Sequence, residues 1–338
     1  MKDFEVVGVF NPGIAEFDGR IQILFRVAEA PLERREGFIA LPRMDLKRGG
    51  YRVDWVRRDE VDQPDARAVV FKHNGLHRLT FVSHLRLASS HDGFAVDHSQ
   101  SKPILTPERP YEEFGVEDAR VTRIGEIYYV TYVAVSRHGI ATALASTLDF
   151  VRFERHGIIF PTENKDVVLF PEKIEGEFVA LHRPVGMARF GVPEIWLARS
   201  SDGLRWGGHK IVISGSDEPE CIRVGSGIPP LRLEEGWLEI YHGVQAPQGD
   251  ESRFVYDARG VILDAKDPAK KVYPRPVRLF EPEHDFETTG FLNNVVFPTG
   301  CVRRGDDLHV YYGAADALTA VTTLSLSELR GALSAGRK

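Results

Sequence analysis

The stretch GEIYYVTYVA at residues 125–134 is typical of a β-strand that begins directly after a tight turn. β-branched and aromatic residues dominate it, and the run is too short for a convincing helix. The same pattern, a charged or glycine turn followed by an aromatic-rich run, recurs in DGRIQILFRV (18–27), GEFVALHRPV (176–185), EGWLEIYHGV (235–244) and DDLHVYYGAA (306–315). The sequence therefore predicts five equivalent strands.

A second, shorter extended piece precedes each of these runs, so each repeat begins with a predicted hairpin. These pieces lie at residues 10–14, 115–124, 165–174, 225–233 and 293–302. Further strand-like pieces follow at 77–94, 141–153 and 194–206, where the turn sequences S-x-D-G and S-T-L-D recur. Each repeat is therefore expected to hold three or four antiparallel strands.

Repeats of this size are typical of propeller blades, which pack around an axis and leave only short edges. We therefore predict an all-β fold, a five-bladed β-propeller that occupies residues 1–338 as a single domain. A short C-terminal helix is predicted at 325–336, where apolar residues return with helical spacing. A doubly wound α/β fold is disfavoured because the segments between the strands are too rich in Gly, Pro and Asp to form helices.

The charge balance argues against several classes of partner. The net charge of −6 disfavours nucleic-acid binding, which requires a basic face. The N-terminal sequence MKDFEVVGVF does not have the pattern of a signal peptide, and no apolar run is long enough to span a membrane. The cysteines Cys221 and Cys301 have no metal-ligand spacing, so we expect reduced thiols, no metal and a cytoplasmic location. The sequence leaves open whether the protein forms a homo-oligomer.

Polar residues at the openings of the five repeats form the candidate site. In a propeller the inner strands meet at a central channel, which brings segments distant in sequence together. The openings and the ends of the aromatic runs contribute Asn11, Arg26, Glu117, Asp118, Lys165, Asp166, His182, Arg183, Arg223, His242, Asn293, Asn294 and Asp316. Mixed carboxylates, amides and cations suit sugar chemistry, because hydroxyls need donors and acceptors and glycosidic cleavage needs an acid.

Simpler explanations exist for single residues. Any one of Glu117, Asp118 and Asp166 is explained as well by a turn cap or an arginine partner, whereas five polar openings together are not. The aromatic residues of the runs are expected to pack in the core rather than to stack on sugars. These are Tyr128, Tyr129, Phe178, Trp237, Tyr311 and Tyr312.

The openings and runs together resemble glycoside hydrolase family 130, the mannoside phosphorylases and related mannosidases. The matching pieces run in order through nearly the whole chain: FNPGI, ILFRV, GVEDARV, NKDVVLFPEKI, LHRP, GSGIPP, GWLEIYHGV, NNVVFPTG and YYGAAD. The resemblance implies a five-bladed β-propeller, in agreement with the repeat count. It also implies phosphorolysis with inversion of configuration.

The resemblance further implies roles for individual residues. Asp118 corresponds to the general acid, whose proton reaches the glycosidic oxygen through a mannose hydroxyl. Lys165, Arg183 and His242, with Arg223 nearby, correspond to the phosphate pocket. Hydroxyl-binding positions correspond to Asn11, Arg26, Glu117 and Asp316, and we add Asp166 and His182 as substrate-binding candidates. Lys165 stands where many of the phosphorylases carry Arg, Arg223 where some carry Lys, and Glu117 where some carry Tyr.

The favoured function is an inverting phosphorylase that converts a β-mannoside and phosphate into α-mannose 1-phosphate and a shortened acceptor sugar. Inorganic phosphate is then a co-substrate, the partner is a mannose-containing oligosaccharide, and no cofactor is expected. The first alternative is an inverting β-mannosidase that uses water, and the second is a non-catalytic glycan-binding propeller. Acceptor choice is expected to reside in the loops 28–37 and 245–257.

Overall fold

The computed structural model describes residues 3–186, 190–215, 217–218, 220–246 and 254–335, without the side chains of 99 and 100. The fold is mostly β, as predicted. The first sheet unit consists of β1, β2, β8 and β9, and an insertion that contains β3 to β7 separates β2 from β8. Their bounds are β1 Phe4–Phe17, β2 Arg20–Pro31, β3 Phe38–Met44, β4 Tyr51–Arg57, β5 Val61–Asp62, β6 Ala68–Phe71, β7 His77–Leu79, β8 Val82–Ser90 and β9 Val96–Leu105.

The second and third sheet units are four-stranded antiparallel meanders in chain order. The second unit is joined to the first by one parallel pair, Gly115 with Ser83, so the two form one eight-stranded sheet. The bounds of the second unit are β10 Gly115–Ile124, β11 Ile127–Ser136, β12 Gly139–Thr147 and β13 Glu154–Phe160. Those of the third are β14 Asn164–Leu169, β15 Phe178–Pro184, β16 Ile195–Ser200 and β17 Gly207–Ile213.

The fourth unit has five strands and the fifth has three. The fourth consists of β18 Cys221–Ser226, β19 Leu231–Arg232, β20 Trp237–Gln245, β21 Val255–Leu263 and β22 Val277–Phe280. The fifth consists of β23 Val296–Arg304, β24 Asp307–Ala314 and β25 Leu318–Ser325. The helices are α1 Asp285–Thr288 and α2 Leu326–Ala335, with 3-10 turns at Arg58–Glu60 and Pro110–Glu112.

Turn chemistry explains where the strands begin and end. Asp18 and Gly19 both have positive φ, which suits the two-residue hairpin between β1 and β2. The recurring S-x-D-G and S-T-L-D sequences join the third and fourth strands of the first three units. In each turn a hydroxyl accepts a backbone N–H three residues on, from Gly93 to Ser90, from Phe150 to Thr147 and from Gly203 to Ser200. The predicted equivalence of these turns is confirmed.

The hydrophobic core lies between neighbouring sheet units. Separate apolar clusters join the first unit to the second, the second to the third, the third to the fourth, the fourth to the fifth and the fifth to the first. Helix α2 occupies the predicted position, except that residue 336 lies outside the described residues, and it packs Leu326, Leu329 and Leu333 against the fourth and fifth units. The aromatic residues assigned to the core are buried apart from Tyr129, which is half-buried.

The insertion was not predicted as a separate element. Residues 77–94 were predicted as one strand-like piece of a repeat, but they hold two strands in different sheets: β7 pairs with β6, while β8 joins the first unit. The insertion has its own small core, which includes Ile39, Leu41 and Val56. Its strands are so short that their alternation of apolar and polar residues does not distinguish them from the strands of the first unit.

Candidate active site

The first strand of each of the first three sheet units carries a β-bulge at the polar opening. The pairing register shifts around Asn11 in β1, around Asp118 in β10 and around Asp166 in β14. These residues have φ values of 48°, 50° and 53°. Asn and Asp tolerate this left-handed conformation better than most residues, and a bulge re-aims the side chain it carries.

Asp118 is held by two donors from the first sheet unit. Its Oδ1 accepts hydrogen bonds from Asn11 Nδ2 at 2.8 Å and from Arg26 Nη1 at 2.9 Å. Its Oδ2 makes no hydrogen bond with a described residue, and the side chain retains 12% of its exposure. The carboxylate therefore has one anchored oxygen and one oxygen that can face a ligand.

Glu117 lies deeper beside the same arginine. Its Oε1 accepts from Arg26 Nη2 at 2.8 Å and from the Ser83 hydroxyl at 3.0 Å. The Arg26 guanidinium lies over the Phe10 ring at 4.5 Å, which fixes its plane. Arg26 thus bridges the two neighbouring carboxylates in a rigid fork.

The pKa values of the two carboxyl groups move in opposite directions. Burial and the neighbouring charge of Asp118 raise the pKa of Glu117 against the pull of Arg26. For Asp118, burial also acts to raise the pKa, but Arg26, Arg120 and the Asn11 hydrogen bond together lower it. Of the two neighbouring carboxyl groups in the unliganded protein, Asp118 therefore has the lowered pKa and Glu117 the raised one.

Arg120, which sequence analysis did not single out, is buried below Asp118. Its Nη1 donates to the Asp118 carbonyl oxygen at 2.8 Å and its Nε donates to the Gly227 carbonyl oxygen at 2.5 Å. Its charge acts on Asp118, Asp166 and His242 alike. Arg120 therefore links Asp118 electrostatically to a second group of polar residues, which includes Asp166 and His242. Its position two residues after Asp118 in GVEDARV was the available signal.

The second group is centred on Asp166. Its Oδ2 lies 3.1 Å from Arg183 Nη2 and 3.7 Å from His242 Nε2. His242 is fully buried, and its burial lowers its pKa to about 3, so the ring is neutral at pH 7. Both His242 ring nitrogens and the Arg183 Nε have no hydrogen-bond partner among the described residues. These three buried atoms therefore have unused hydrogen-bonding capacity.

Lys165 and Arg223 complete this group. Burial and the charge of Arg183 lower the pKa of Lys165, while Glu117, Asp118 and Asp166 act against that shift. Lys165 therefore lies within electrostatic range of both the acid and the cations. Arg223 stacks on the Phe254 and Tyr256 rings at 5.6 Å and 5.4 Å, and its Nε has no hydrogen-bond partner among the described residues.

Two other predicted site residues have different surroundings. His182 is adjacent to Arg183 on β15, but it stacks on Phe160 at 4.6 Å and shares hydrogen bonds with Asn164 and His209. Because successive side chains of a strand point to opposite faces, His182 faces away from the Arg183 side of β15.

Asp316 is paired with an arginine that the sequence did not reveal. Arg67 Nη1 donates to Asp316 Oδ2 at 2.8 Å. The negative charge of Asp316 also helps to raise the pKa of Arg26. Arg67 belongs to the insertion, and no repeat or motif marks it. Asn293 accepts a hydrogen bond from the Gly290 N–H.

The predicted acceptor loops are described only in part. Residues 28–31 complete β2 and residues 255–257 begin β21. The predicted loop 245–257 includes 247–253, which lie outside the described residues. Within the described part of the chain, no helix is both long and apolar enough to cross a membrane.

Comparison with known proteins identifies the family. A family model described as β-1,4-mannooligosaccharide phosphorylase matches residues 66–333. A β-1,2-mannobiose phosphorylase of Listeria innocua is 40% identical over 333 residues, which cover 96% of this chain and 91% of that protein. A 1,2-β-oligomannan phosphorylase of Thermoanaerobacter sp. is 34% identical over 254 residues, 74% of this chain and 81% of that protein.

A solved structure agrees with the sequence comparisons. The β-1,2-mannobiose phosphorylase of Listeria innocua in complex with β-1,2-mannobiose superimposes with a TM-score of 0.88 at 39% identity. The match covers 99% of this chain and 94% of that one. The chain is therefore an enzyme that belongs to glycoside hydrolase family 130.

Proposed function

We propose that the chain is an inverting phosphorylase that converts a β-1,2-linked mannoside and inorganic phosphate into α-mannose 1-phosphate and a shortened acceptor. The observation that carries this proposal is that a partly exposed carboxylate, Asp118, lies within electrostatic range of half-buried Lys165, which in turn lies within electrostatic range of buried Arg183. A sugar ring placed between them has a proton donor on one face and an anion site on the other.

On the sugar side, Asp118 is the general acid. A phosphate oxygen forms the new bond to C1 of the mannosyl unit as the bond from C1 to the glycosidic oxygen breaks. The Asp118 proton passes through a mannose hydroxyl to the departing oxygen, so atoms and charges balance. Asn11, Arg26, Glu117 and Asp316 bind and orient the hydroxyls of the cleaved mannose.

On the anion side, Arg183, Lys165 and Arg223 balance the charge of phosphate. His242 contributes hydrogen bonds rather than charge, because its ring is neutral. Asp166 holds Arg183 through their 3.1 Å ion pair and thereby orients the guanidinium. Because Asp166 lies among these cations, its role is to position Arg183 rather than to bind the sugar.

Phosphate binding also favours protonation of Asp118. Positive charge from Arg26 and Arg120 lowers the pKa of Asp118 in the unliganded protein. A phosphate anion beside Lys165 offsets part of this positive charge and so raises the pKa of Asp118. Asp118 thus takes up its proton in the complex that contains phosphate, where the acid is needed.

The runner-up is an inverting mannosidase, in which water replaces phosphate. Such an enzyme needs a carboxylate base on the far face of the sugar. Asp166 is the available carboxylate there, but its ion pair with Arg183 lowers its pKa against its burial, which makes it a weak base. This observation favours phosphorolysis. A non-catalytic glycan-binding protein would need neither Asp118 nor the buried cations.

The β-1,2 linkage is proposed from the relatives. The protein named for β-1,2-mannobiose matches 96% of this chain at 40% identity, whereas a β-1,4-mannooligosaccharide phosphorylase of Ruminococcus albus matches 63% at 30%. The family model carries a β-1,4 name, but it describes the family as a whole. The full-length match is the better guide to linkage, because it includes the insertion.

A closed five-bladed propeller formed by the whole chain is part of the proposal. Apolar clusters occupy five successive interfaces between units, including that between the fifth and the first. The innermost strands also contact one another in sequence: β1 contacts β10, β10 contacts β14, β14 contacts β18, and β23 contacts β1. The Thr299 hydroxyl donates to the Pro12 carbonyl oxygen across the closing interface. The cytoplasmic location and any homo-oligomer remain predictions.

The function is tested by incubating the protein with β-1,2-mannobiose, β-1,4-mannobiose and mannosyl-glucose, each with and without phosphate. We expect mannose 1-phosphate from β-1,2-mannobiose only when phosphate is present. Free mannose released at the same rate without phosphate would establish the mannosidase instead. Binding of β-1,2-mannobiose without any turnover would establish the glycan-binding alternative.

A further inference from the structure

A cavity of about 310 Å³ lies between the insertion and the rims of the first and fifth sheet units. We propose that it binds distal mannose units of β-1,2-mannooligosaccharides, so that the enzyme prefers oligomers to the disaccharide. This inference rests on the proposed function and names the substrate length for the same site. Val7 and Pro31 contribute the first-unit wall, and Phe291 contributes the fifth-unit side.

The hairpin of β3 and β4 presents aromatic residues to this cavity. Its Ile39 and Val56 pair across the strands and face the small core of the insertion. Because side chains alternate along a strand, Phe38 and Trp55 occupy the other face, and both line the cavity. Phe38 is 39% exposed. The exposed part of the Phe38 ring can therefore contact a ligand in the cavity.

An aromatic ring that lines the cavity also contacts Arg26 of the candidate site. The Phe81 ring lines the cavity and stacks on Phe291 at 5.8 Å, while the Arg26 guanidinium lies 5.6 Å from the Phe81 ring. The loop that contributes Gln63 to the cavity also carries Arg67, which binds Asp316. In the proposed complex, a chain whose terminal mannose is held at Asp118 continues past the Phe81 ring into the cavity.

The polar lining suits neutral hydroxyls better than an anion. Arg34 and Arg35 are already paired with Glu5 at 2.6 Å and Glu33 at 2.8 Å. The side chains of Arg58 and Gln63 make no hydrogen bond with a described residue and can bind hydroxyls. Exposed aromatic surface beside free donors and acceptors is the chemistry that recognises a pyranose ring.

The test compares β-1,2-linked mannobiose, mannotriose and mannotetraose as substrates for phosphorolysis. In the unmodified enzyme we expect kcat/KM to rise by about threefold to tenfold with chain length, the range expected from one aromatic contact. The double variant Phe38→Ala/Gln63→Ala is expected to lose this rise and to keep the mannobiose value. The matched control Leu76→Ala removes a 61% exposed side chain of the same insertion outside the cavity, and it should keep the rise.

Binding to Asp118→Asn, measured by calorimetry, separates this inference from the proposed function. Mannotetraose should bind more tightly than mannobiose, and the cavity variant should abolish the difference whether or not phosphorolysis is observed. A chain-length preference that is absent from the unmodified enzyme, or that survives in the cavity variant, overturns the inference. Failure of all three sugars to react with phosphate overturns the proposed function alone if the binding difference is present.

Discussion

At the residue level, the candidate site depends on how one arginine is shared by two adjacent carboxyl groups. Arg26 pairs with both Glu117 and Asp118 at 2.8 Å and 2.9 Å, yet the pKa is raised for the first and lowered for the second. The difference arises because Asp118 also has the charge of Arg120 and the hydrogen bond of Asn11. The two carboxyl groups are therefore chemically distinct despite being neighbours.

The substitution Asp118→Asn should abolish phosphorolysis while leaving mannobiose binding within a few fold of the unmodified value. Asn keeps the size and an oxygen that can accept from Asn11 and Arg26, but it has no acidic proton to transfer to the leaving group. Loss of a general acid lowers turnover by about 10²- to 10⁴-fold. Steady-state rates and calorimetric titration with β-1,2-mannobiose give the two quantities. A rate equal to that of the unmodified enzyme would remove Asp118 from the mechanism.

The substitution Arg183→Ala should raise the KM for phosphate more than the KM for the sugar. A charge-assisted hydrogen bond contributes about 1.5–3 kcal/mol, so the phosphate KM should increase roughly ten- to hundredfold. Initial rates measured over both substrate concentrations separate the two constants. The control Arg205→Ala removes an arginine whose side chain is 92% exposed and should change neither constant. A change confined to the sugar constant would mean that Arg183 does not bind phosphate.

At the level of single elements, the first strands of three sheet units position candidate-site side chains in the same way. Asn11, Asp118 and Asp166 occupy equivalent bulges in β1, β10 and β14. A second arrangement repeats in the loops before the second, fourth and fifth units, where a carboxylate accepts a hydrogen bond from the hydroxyl of a strand tyrosine. These pairs are Glu112 with Tyr132, Glu218 with Tyr241 and Glu287 with Tyr312. They tie each loop to its own unit.

Close approach of β18 to β14 requires a glycine at position 225. A Cβ placed there would overlap Asp166 Oδ2 and the His242 ring. We therefore expect Gly225→Ala to displace both side chains, to lower the free energy of unfolding by about 1–3 kcal/mol, and to weaken phosphate binding. Denaturant unfolding and the phosphate KM measure the two effects.

Gly207→Ala is the matched control for this prediction. A Cβ at Gly207 in β17 meets no atom within 4 Å, so neither stability nor phosphate binding should fall. Should Gly225→Ala keep the phosphate KM of the unmodified enzyme, β18 would not contribute to the shape of the anion site.

At the level of the whole molecule, buried neutral histidines make stability depend on pH. Burial lowers the pKa of His182 and of His242 to about 3, below the value of about 6.5 in an unfolded chain. Between these values the unfolded chain binds protons that the folded chain does not, so stability is full above pH 6.5 and declines as the pH falls toward 3. Each histidine contributes a slope of at most about 1.4 kcal/mol per pH unit.

Between pH 3 and 6.5, the substitution His182→Gln should reduce the slope of the free energy of unfolding against pH by up to about 1.4 kcal/mol per pH unit, which corresponds to one bound proton. Denaturant unfolding at several pH values measures it. His91→Gln, at an exposed position, is the control and should leave the slope unchanged. An identical slope in the His182 variant would show that His182 is not kept neutral by the fold.

Much of the architecture could be predicted because strand and turn signals are local. Residues 115–124 form β10 as proposed, and the aromatic runs coincide with β2, β11, β15, β20 and β24 to within a few residues. Alternation, β-branching and turn residues act within a few positions of one another, so a single sequence contains them. The polar openings of the repeats were visible for the same reason.

Local order of the strands, the equivalence of their turns and the chemical character of the openings were determined by the sequence itself. Tertiary structure alone decided that Arg67 of the insertion meets Asp316, that His182 faces away from Arg183, and that His242 is neutral. Each of these depends on partners far apart in the chain. Burial and charge at such meeting points are set by the assembled environment, which no local pattern encodes.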